Sequence, residues 1–169
     1  MEKSPYERWT LIEPLNDGEQ EVKDYLRANG YTVADVSDLP EFWKIDVDLL
    51  AYKESLEDEV KIEVKNDKVI SRTGNLFIEL FTDVAKGRAG WFKITQADYI
   101  YYRDRENQTV YILPFEQLNQ FVSDNEKNLK VVCAPDYRRD GQISKYSSGY
   151  VIPIRDYLNV YPETQILHI

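Results

Sequence analysis

The residues KIDVDLLAY at 44–52 and VKIEVKN at 60–66 place Asp48 on one apolar strand and Glu63 and Lys65 on the next. Side chains alternate along a strand, so Glu63 and Lys65 project together, and a hairpin brings both beside Asp48. Two carboxylates so placed suit a divalent ion, and the ammonium suits a phosphate. The chemistry this spacing serves is metal-assisted hydrolysis of a phosphodiester. Asp46 and Asp48 share a strand face, with Ile45, Val47 and Leu49 on the other, so either acid could complete the set. Asp48 is preferred because it leads directly into the apolar run LLAY.

The triplet Glu-x-Lys is weak by itself. EVK occurs at 21–23, 59–61 and 63–65, in a chain that is 30% charged. The first copy falls in a predicted helix, where residues two apart point in different directions. The second adjoins the acidic turn Glu57, Asp58, Glu59, and only the third lies in mid-strand. Because Glu59, Lys61, Glu63 and Lys65 share one face, a two-residue slip in pairing would exchange the candidates. An amphipathic hairpin with cross-strand ion pairs, each worth about 0.2–1 kcal/mol, accounts for the same pattern.

The elements around these residues read as follows. Residues 18–29 form a helix through Val22, Tyr25 and Leu26, stopped by Gly30. Strands are expected at 31–36, 42–53, 60–65, 75–81, 97–103 and 109–114, then a helix at 114–124 and strands at 128–135 and 149–154. DYRRDGQISKYSS between the last two reads as an exposed loop. No repeat or long linker divides the chain, so 1–169 is expected to be one α/β domain, a central mixed sheet flanked by helices.

Composition narrows the chemistry. Cys133 is the only cysteine and His168 the only histidine, which removes disulfide scaffolds, zinc clusters and histidine-activated nucleophiles. Catalysis would rest on carboxylates, Lys, Tyr, Ser or a metal. No apolar run reaches the roughly 20 residues that span a bilayer, and MEKSPYERW lacks a basic-then-apolar leader pattern. A cytoplasmic protein with no membrane partner is expected. The net charge of −9 argues against a protein that coats nucleic acid. Residues 1–64 carry 7 Lys and Arg against 17 Asp and Glu, while 65–169 carry 14 against 13. The acidic excess gathers around the proposed metal strand, where a bound cation would offset part of it.

The order GEQEVKDYL, DVDLLAY, IEVK resembles the PD-(D/E)xK superfamily of nucleases, whose fold is restriction endonuclease-like. The continuation EVKND, RTGNLFIEL at 72–80, GW at 90–91 and TQADYIYY at 95–102 is similar to a group of bacterial and phage-type members sharing a TGN-(I/L)-x-x-E segment and a later T-x-A-D. The likeness covers roughly residues 18–115, and no Pro precedes the Asp here. It implies a restriction endonuclease-like core at about 18–115 and Mg²⁺-dependent cleavage of DNA, with Mn²⁺ as substitute. Asp48, Glu63 and Lys65 would be catalytic, with Glu19 as the helix carboxylate. Asp48, Glu63 and the carbonyl of Val64 would hold the metal.

Glu19 also lies on the core-facing stripe of the helix, where an acid needs a partner, though the first turn suits a structural Glu equally. Glu79 is a further candidate acid. Lys68, Arg72 and Lys93, with Lys86 and Arg88, bracket glycine-containing segments and are candidate phosphate contacts. Trp91 would stack on a base or fill the core, and Arg138, Arg139 and Lys145 form a second basic group. Related folds often act as dimers, so a homodimer is a candidate state. Two alternatives stay open: a non-catalytic binding or assembly module that keeps the fold, suited to the net acidity, and an RNA-processing nuclease.

Overall fold

The computed structural model describes residues 17–169; the leader reading of MEKSPYERW and the first part of the 1–169 domain lie outside them. In chain order the elements are α1 (Asp17–Ala28), β1 (Thr32–Asp35), a helical turn (Pro40–Trp43), β2 (Leu49–Lys53), β3 (Asp58–Asp67), a second turn (Ile70–Thr73), β4 (Asn75–Asp83) and β5 (Arg88–Ala89). A third turn (Trp91–Ile94) leads to β6 (Tyr99–Asp104), β7 (Thr109–Pro114), α2 (Phe115–Asn125), β8 (Lys130–Tyr137), β9 (Ile143–Pro153), α3 (Ile154–Val160) and β10 (Gln165–His168).

The strands form two sheets. Six lie in the order β1-β2-β3-β6-β7-β10, and four in the order β5-β4-β9-β8. Within the larger sheet only β3 and β6 run parallel, which makes it mixed. Alternation along β3 sorts its side chains. Ile62 and Val64 join Leu49, Ala51, Tyr101, Val110 and Ile112 under Val22 and Leu26 of α1. The opposite face presents Ile100, Tyr102 and Leu113 to Leu76 and Ile78 of β4, Ile152 of β9, and Leu118, Phe121 and Tyr157 of α2 and α3. The chain is therefore α/β, with helices on a mixed sheet, as its pattern implies. No helix among the described residues is long and apolar enough to cross a membrane.

Three expectations need correction. The strand predicted at 42–53 begins only at Leu49, because Pro40 opens a helical turn ending at Trp43 and Asp46 takes a left-handed φ of 47°. Tertiary contacts hold this departure: the Thr95 hydroxyl donates to the Asp46 carbonyl at 2.9 Å, and the Gln96 N–H to the Ile45 carbonyl at 2.9 Å. The expected loop at 136–148 is mostly paired strand, with Asp136 opposite Lys145 and Tyr137 opposite Ile143. A tight turn closes it, the Arg138 N–H reaching the Gln142 carbonyl at 2.7 Å. The second sheet, α3 and β10 are absent from the sequence reading, and α3 and β10 follow the last predicted strand.

Candidate active site

Pairing decides which Glu-x-Lys copy lies beside Asp46 and Asp48. β2 and β3 run antiparallel with Leu49 opposite Ile62 and Tyr52 opposite Glu59, and the Asp48 N–H continues the ladder to the Ile62 carbonyl at 3.0 Å. Glu63 and Lys65 therefore emerge where β2 begins, while Glu59 lies at the far end of the hairpin. Beyond that point β3 has lost its β2 partner. The Val64 N–H turns instead to Asp48 Oδ2 at 2.8 Å. N–H and C=O of one strand residue face the same side, so the Val64 carbonyl also faces the edge that β2 leaves open.

Lys65 is the hub. Its Nζ lies 3.0 Å from Asp46 Oδ2 and pairs with Glu63 Oε1. The choice between Asp46 and Asp48 dissolves, because the left-handed turn at Asp46 breaks the alternation and both acids enter the cluster. Asp46 takes Lys65; Asp48 takes the Val64 backbone and contacts Glu63. From the second sheet Glu79 acts on Lys65 across the gap and accepts the Trp91 N–H. Gly90 permits this approach: a Cβ there would lie 2.6 Å from the Glu79 carbonyl oxygen. The Trp91 ring is buried at 7% exposure, and its centroid lies 5.4 Å from Lys65 Nζ, so it serves core and site together.

Burial sets the protonation. Glu63 is 3% exposed, and desolvation, against the pull of Lys65 and reinforced by Asp48 and Asp46, pushes its carboxyl up to about 9. Burial likewise raises Asp48 and Glu79 above ordinary carboxylate values. Burial opposes the charged form of Lys65, but Glu63 and Asp46 outweigh it and hold the ammonium above the usual lysine value. Glu63 Oε2 is buried and meets no donor. Its carboxyl touches that of Asp48, so a proton or a cation must stand between two groups that otherwise only accept.

Asp46, Asp48, Glu63 and Glu79 thus gather around the Lys65 ammonium, with Lys145 also acting on Glu79. Hard oxygen donors with surplus negative charge and an orphaned buried oxygen fit a Mg²⁺-class ion. Among the described residues no three acids stand as a ready-made cage, and Lys65 intervenes between Asp46 and Glu63.

A cleft of about 420 Å³ opens beside Lys65, lined also by Asn66, Asp67, Lys68, Phe77, Glu79, Trp91 and Tyr102. Lys68 is thereby placed at the site. Arg72 is exposed on the turn Ile70–Thr73, and Lys93 is exposed with its Nζ 3.5 Å from the Phe81 ring centroid; neither lines the cleft. Glu19 is half-buried on α1, whose Val22 and Leu26 pack on the face of β3 opposite Glu63 and Lys65.

Asp67 and Tyr102 were not singled out from the sequence. The Tyr102 hydroxyl donates to Asp67 and accepts the Phe77 N–H at 2.9 Å, while Asp67 Oδ1 accepts the Ile70 N–H at 3.1 Å. They tie β3, β4 and β6 at the cleft floor. Asp67 was recoverable, since it shares the Lys65 face two residues on. The T-x-A-D segment also acquires a role: Thr95 holds the Asp46 carbonyl, and Asp98 accepts the Lys61 N–H at 2.7 Å.

A larger cavity, about 520 Å³, lies on the α1 face among Tyr31, Tyr99 and Tyr101. Lys65 and Glu79 of the ionisable cluster line the smaller cleft, and no member of the cluster lines the larger cavity. Comparison with protein-family models, curated proteins and solved structures gives no match.

Proposed function

We propose that the protein is a divalent-metal-dependent nuclease that hydrolyses phosphodiester bonds in DNA on a restriction endonuclease-like core. The observation that carries this reading is the convergence of Asp48, Glu63 and Lys65, with Asp46, around a buried carboxylate oxygen that meets no donor. Asp48, Glu63 and the Val64 carbonyl would hold Mg²⁺, with Mn²⁺ as substitute. When bound, the ion supplies Lewis acidity toward a water and a phosphate oxygen. Lys65, kept charged by its acids, orients the attacking water and offers fixed positive charge in a partly desolvated cleft. Lys68 at the cleft holds a neighbouring phosphate, and Arg72 and Lys93 contact the strand farther out. Asp46 holds Lys65 in place.

The test is incubation of the purified protein with linear, single-stranded, nicked and branched DNA plus Mg²⁺ or Mn²⁺. Cleavage that persists in the Glu63→Ala, Lys65→Ala double variant would sink the assignment. The net charge of −9 favours a second reading, a binding or assembly module that keeps the fold without catalysis. Calorimetric titration with Mn²⁺ separates the two, because such a module has no use for metal at Asp48 and Glu63.

A further inference from the structure

The β8–β9 hairpin supplies none of the four clustered carboxylates, yet it is fastened beside them. Lys145 on β9 donates to Thr82 Oγ1 of β4 at 2.9 Å and lies 3.8 Å from Asp136 across the hairpin. It is close enough to Glu79 to act on that carboxyl, so the inner face of the hairpin is anchored to the strand that walls the cleft. The outer face is different. Tyr146 pairs with Pro135, and an irregularity after Asp136 re-aims Tyr137 near the tip. Tyr137 is 64% and Tyr146 49% exposed. Arg138 and Arg139 follow at the turn, both exposed. Residues 130–148 carry four basic side chains, Lys130, Arg138, Arg139 and Lys145, against Asp136 and Asp140, in a chain that is otherwise strongly acidic.

Two occupants would cover exposed rings on an edge hairpin. A second copy could extend the sheet along β8, but Pro135 has no N–H and interrupts that row of donors in mid-strand. The other occupant uses ring faces rather than backbone. A nucleobase offers its face only when unstacked, since a duplex buries those faces in its own stack. Aromatic platforms beside basic residues bind single strands through stacking and phosphate contact. We infer that the outer face of the β8–β9 hairpin is a single-stranded DNA platform: bases stack on Tyr137 and Tyr146, Arg138 and Arg139 hold the backbone, and the strand is led toward the cleft. The inference rests on the nuclease reading of that cleft and names its substrate class.

The experiment is fluorescence anisotropy with a labelled oligothymidylate and a labelled duplex of equal length, in EDTA, with circular dichroism confirming the fold of each variant. The Tyr137→Ala, Tyr146→Ala double variant should bind the single strand roughly ten- to hundredfold more weakly, with duplex affinity unchanged. Phe at both positions keeps the rings and should keep wild-type affinity. Arg138→Ala, Arg139→Ala should weaken binding and flatten its salt dependence. Single-strand affinity unchanged in the Tyr→Ala variant, or lost in the Tyr→Phe variant, overturns the platform even if the protein cleaves DNA. Conversely, wild-type protein that binds single strands through the hairpin but cleaves nothing with Mg²⁺ or Mn²⁺ sinks the nuclease reading and leaves the platform standing.

Discussion

Two cations, Lys65 half-buried and Arg103 buried, sit one residue pair apart on β3 and β6, on opposite faces of the six-stranded sheet, and they keep different company. Lys65 is registered with Tyr102, and Asn66 with Arg103. On the α1 face Arg103, 3% exposed, pairs with Glu21 Oε2 at 2.5 Å and donates to Asn66 Oδ1 at 3.1 Å. On the other face Lys65 meets Asp46 and Glu63 directly, with Asp48 and Glu79 in electrostatic reach. The first set balances charge and joins helix to sheet. Among the described residues each cluster keeps a buried atom without a hydrogen-bond partner, Arg103 Nε in the first and Glu63 Oε2 in the second. Only the second leaves an acid surplus, an arrangement that weakens the fold and is expected where a site is built for something else.

Substitutions should therefore have opposite signatures in the two clusters. Lys65→Ala is expected to lower the cleavage rate at least ~10²- to 10³-fold, the scale of removing one fixed charge-stabilising donor. Its unfolding midpoint in urea should change little, because the surplus acids can take up protons. Arg103→Ala should do the reverse. It removes the partner of Glu21, a third of which is exposed, so the loss of stability should be up to about 3 kcal/mol. Mn²⁺ affinity measured by calorimetry should be unchanged. A Lys65→Ala variant with full activity, or an Arg103→Ala variant that loses metal binding alone, would erase the distinction between the clusters.

Acidity sharpens the same contrast. Glu63 is raised from 4.5 to about 9 in the fold, so between those values the native state holds a proton that the unfolded chain releases. Its contribution to stability is fully present below pH 4.5 and is lost as pH rises through about 9. Asp48, also raised, acts in the same direction. The stability that the raised Lys65 contributes is fully present below pH 10.5 and is lost only above it, outside this window. Metal-free protein should thus be less stable at pH 9 than at pH 5.5 in urea titrations. Glu63→Gln should remove most of that slope and exceed the wild type at pH 9, while abolishing cleavage. A slope that survives Glu63→Gln would place the responsible proton elsewhere.

Metal should oppose this loss in the wild type alone. A ligand present at a hundred times its Kd stabilises by about 2.7 kcal/mol, so Mn²⁺ at that ratio should raise the thermal midpoint measurably near pH 8. The Glu63→Gln and Asp48→Asn variants should not respond. Equal shifts in all three proteins would locate the metal away from β3.

The sequence makes one of these clusters far more legible than the other. Strand alternation in VKIEVKN separates Ile62 and Val64 from Glu63 and Lys65, and the observed register of β3 on β2 follows the same alternation. The two-residue ambiguity among Glu59, Lys61, Glu63 and Lys65 needed the third dimension, because only pairing says where β2 begins. Asp46 was misplaced for a related reason: Ile45 and Val47 have the composition of a strand, but Thr95 and Gln96, far along the chain, hold the segment as a turn. The hairpin at 136–148 was hidden because its outer face is exposed, so the polar residues of a strand resemble those of a loop. Which strands leave the first sheet for the second is a long-range choice that no local pattern encodes.

The smallest effect separates the two aspartates. Asp46 touches Lys65 from a turn stabilised elsewhere, whereas Asp48 touches Glu63 and the Val64 backbone at the mouth of the hairpin. If Asp46 positions the lysine and Asp48 holds the ion, their amide variants divide the chemistry. Asp48→Asn should lose Mn²⁺ affinity. Asp46→Asn should retain it and slow turnover only about tenfold, the lower end of what losing a group that orients a site residue costs, with KM unchanged because no substrate contact is removed. The pH profile should move as well, since Lys65 loses one of the two charges that hold its ammonium above the ordinary value, and the alkaline limb of activity should shift to lower pH. Equal losses of Mn²⁺ affinity in both variants would mean that the acids share the ion, and the lysine's orientation would then have to come from Glu63 and Trp91 alone.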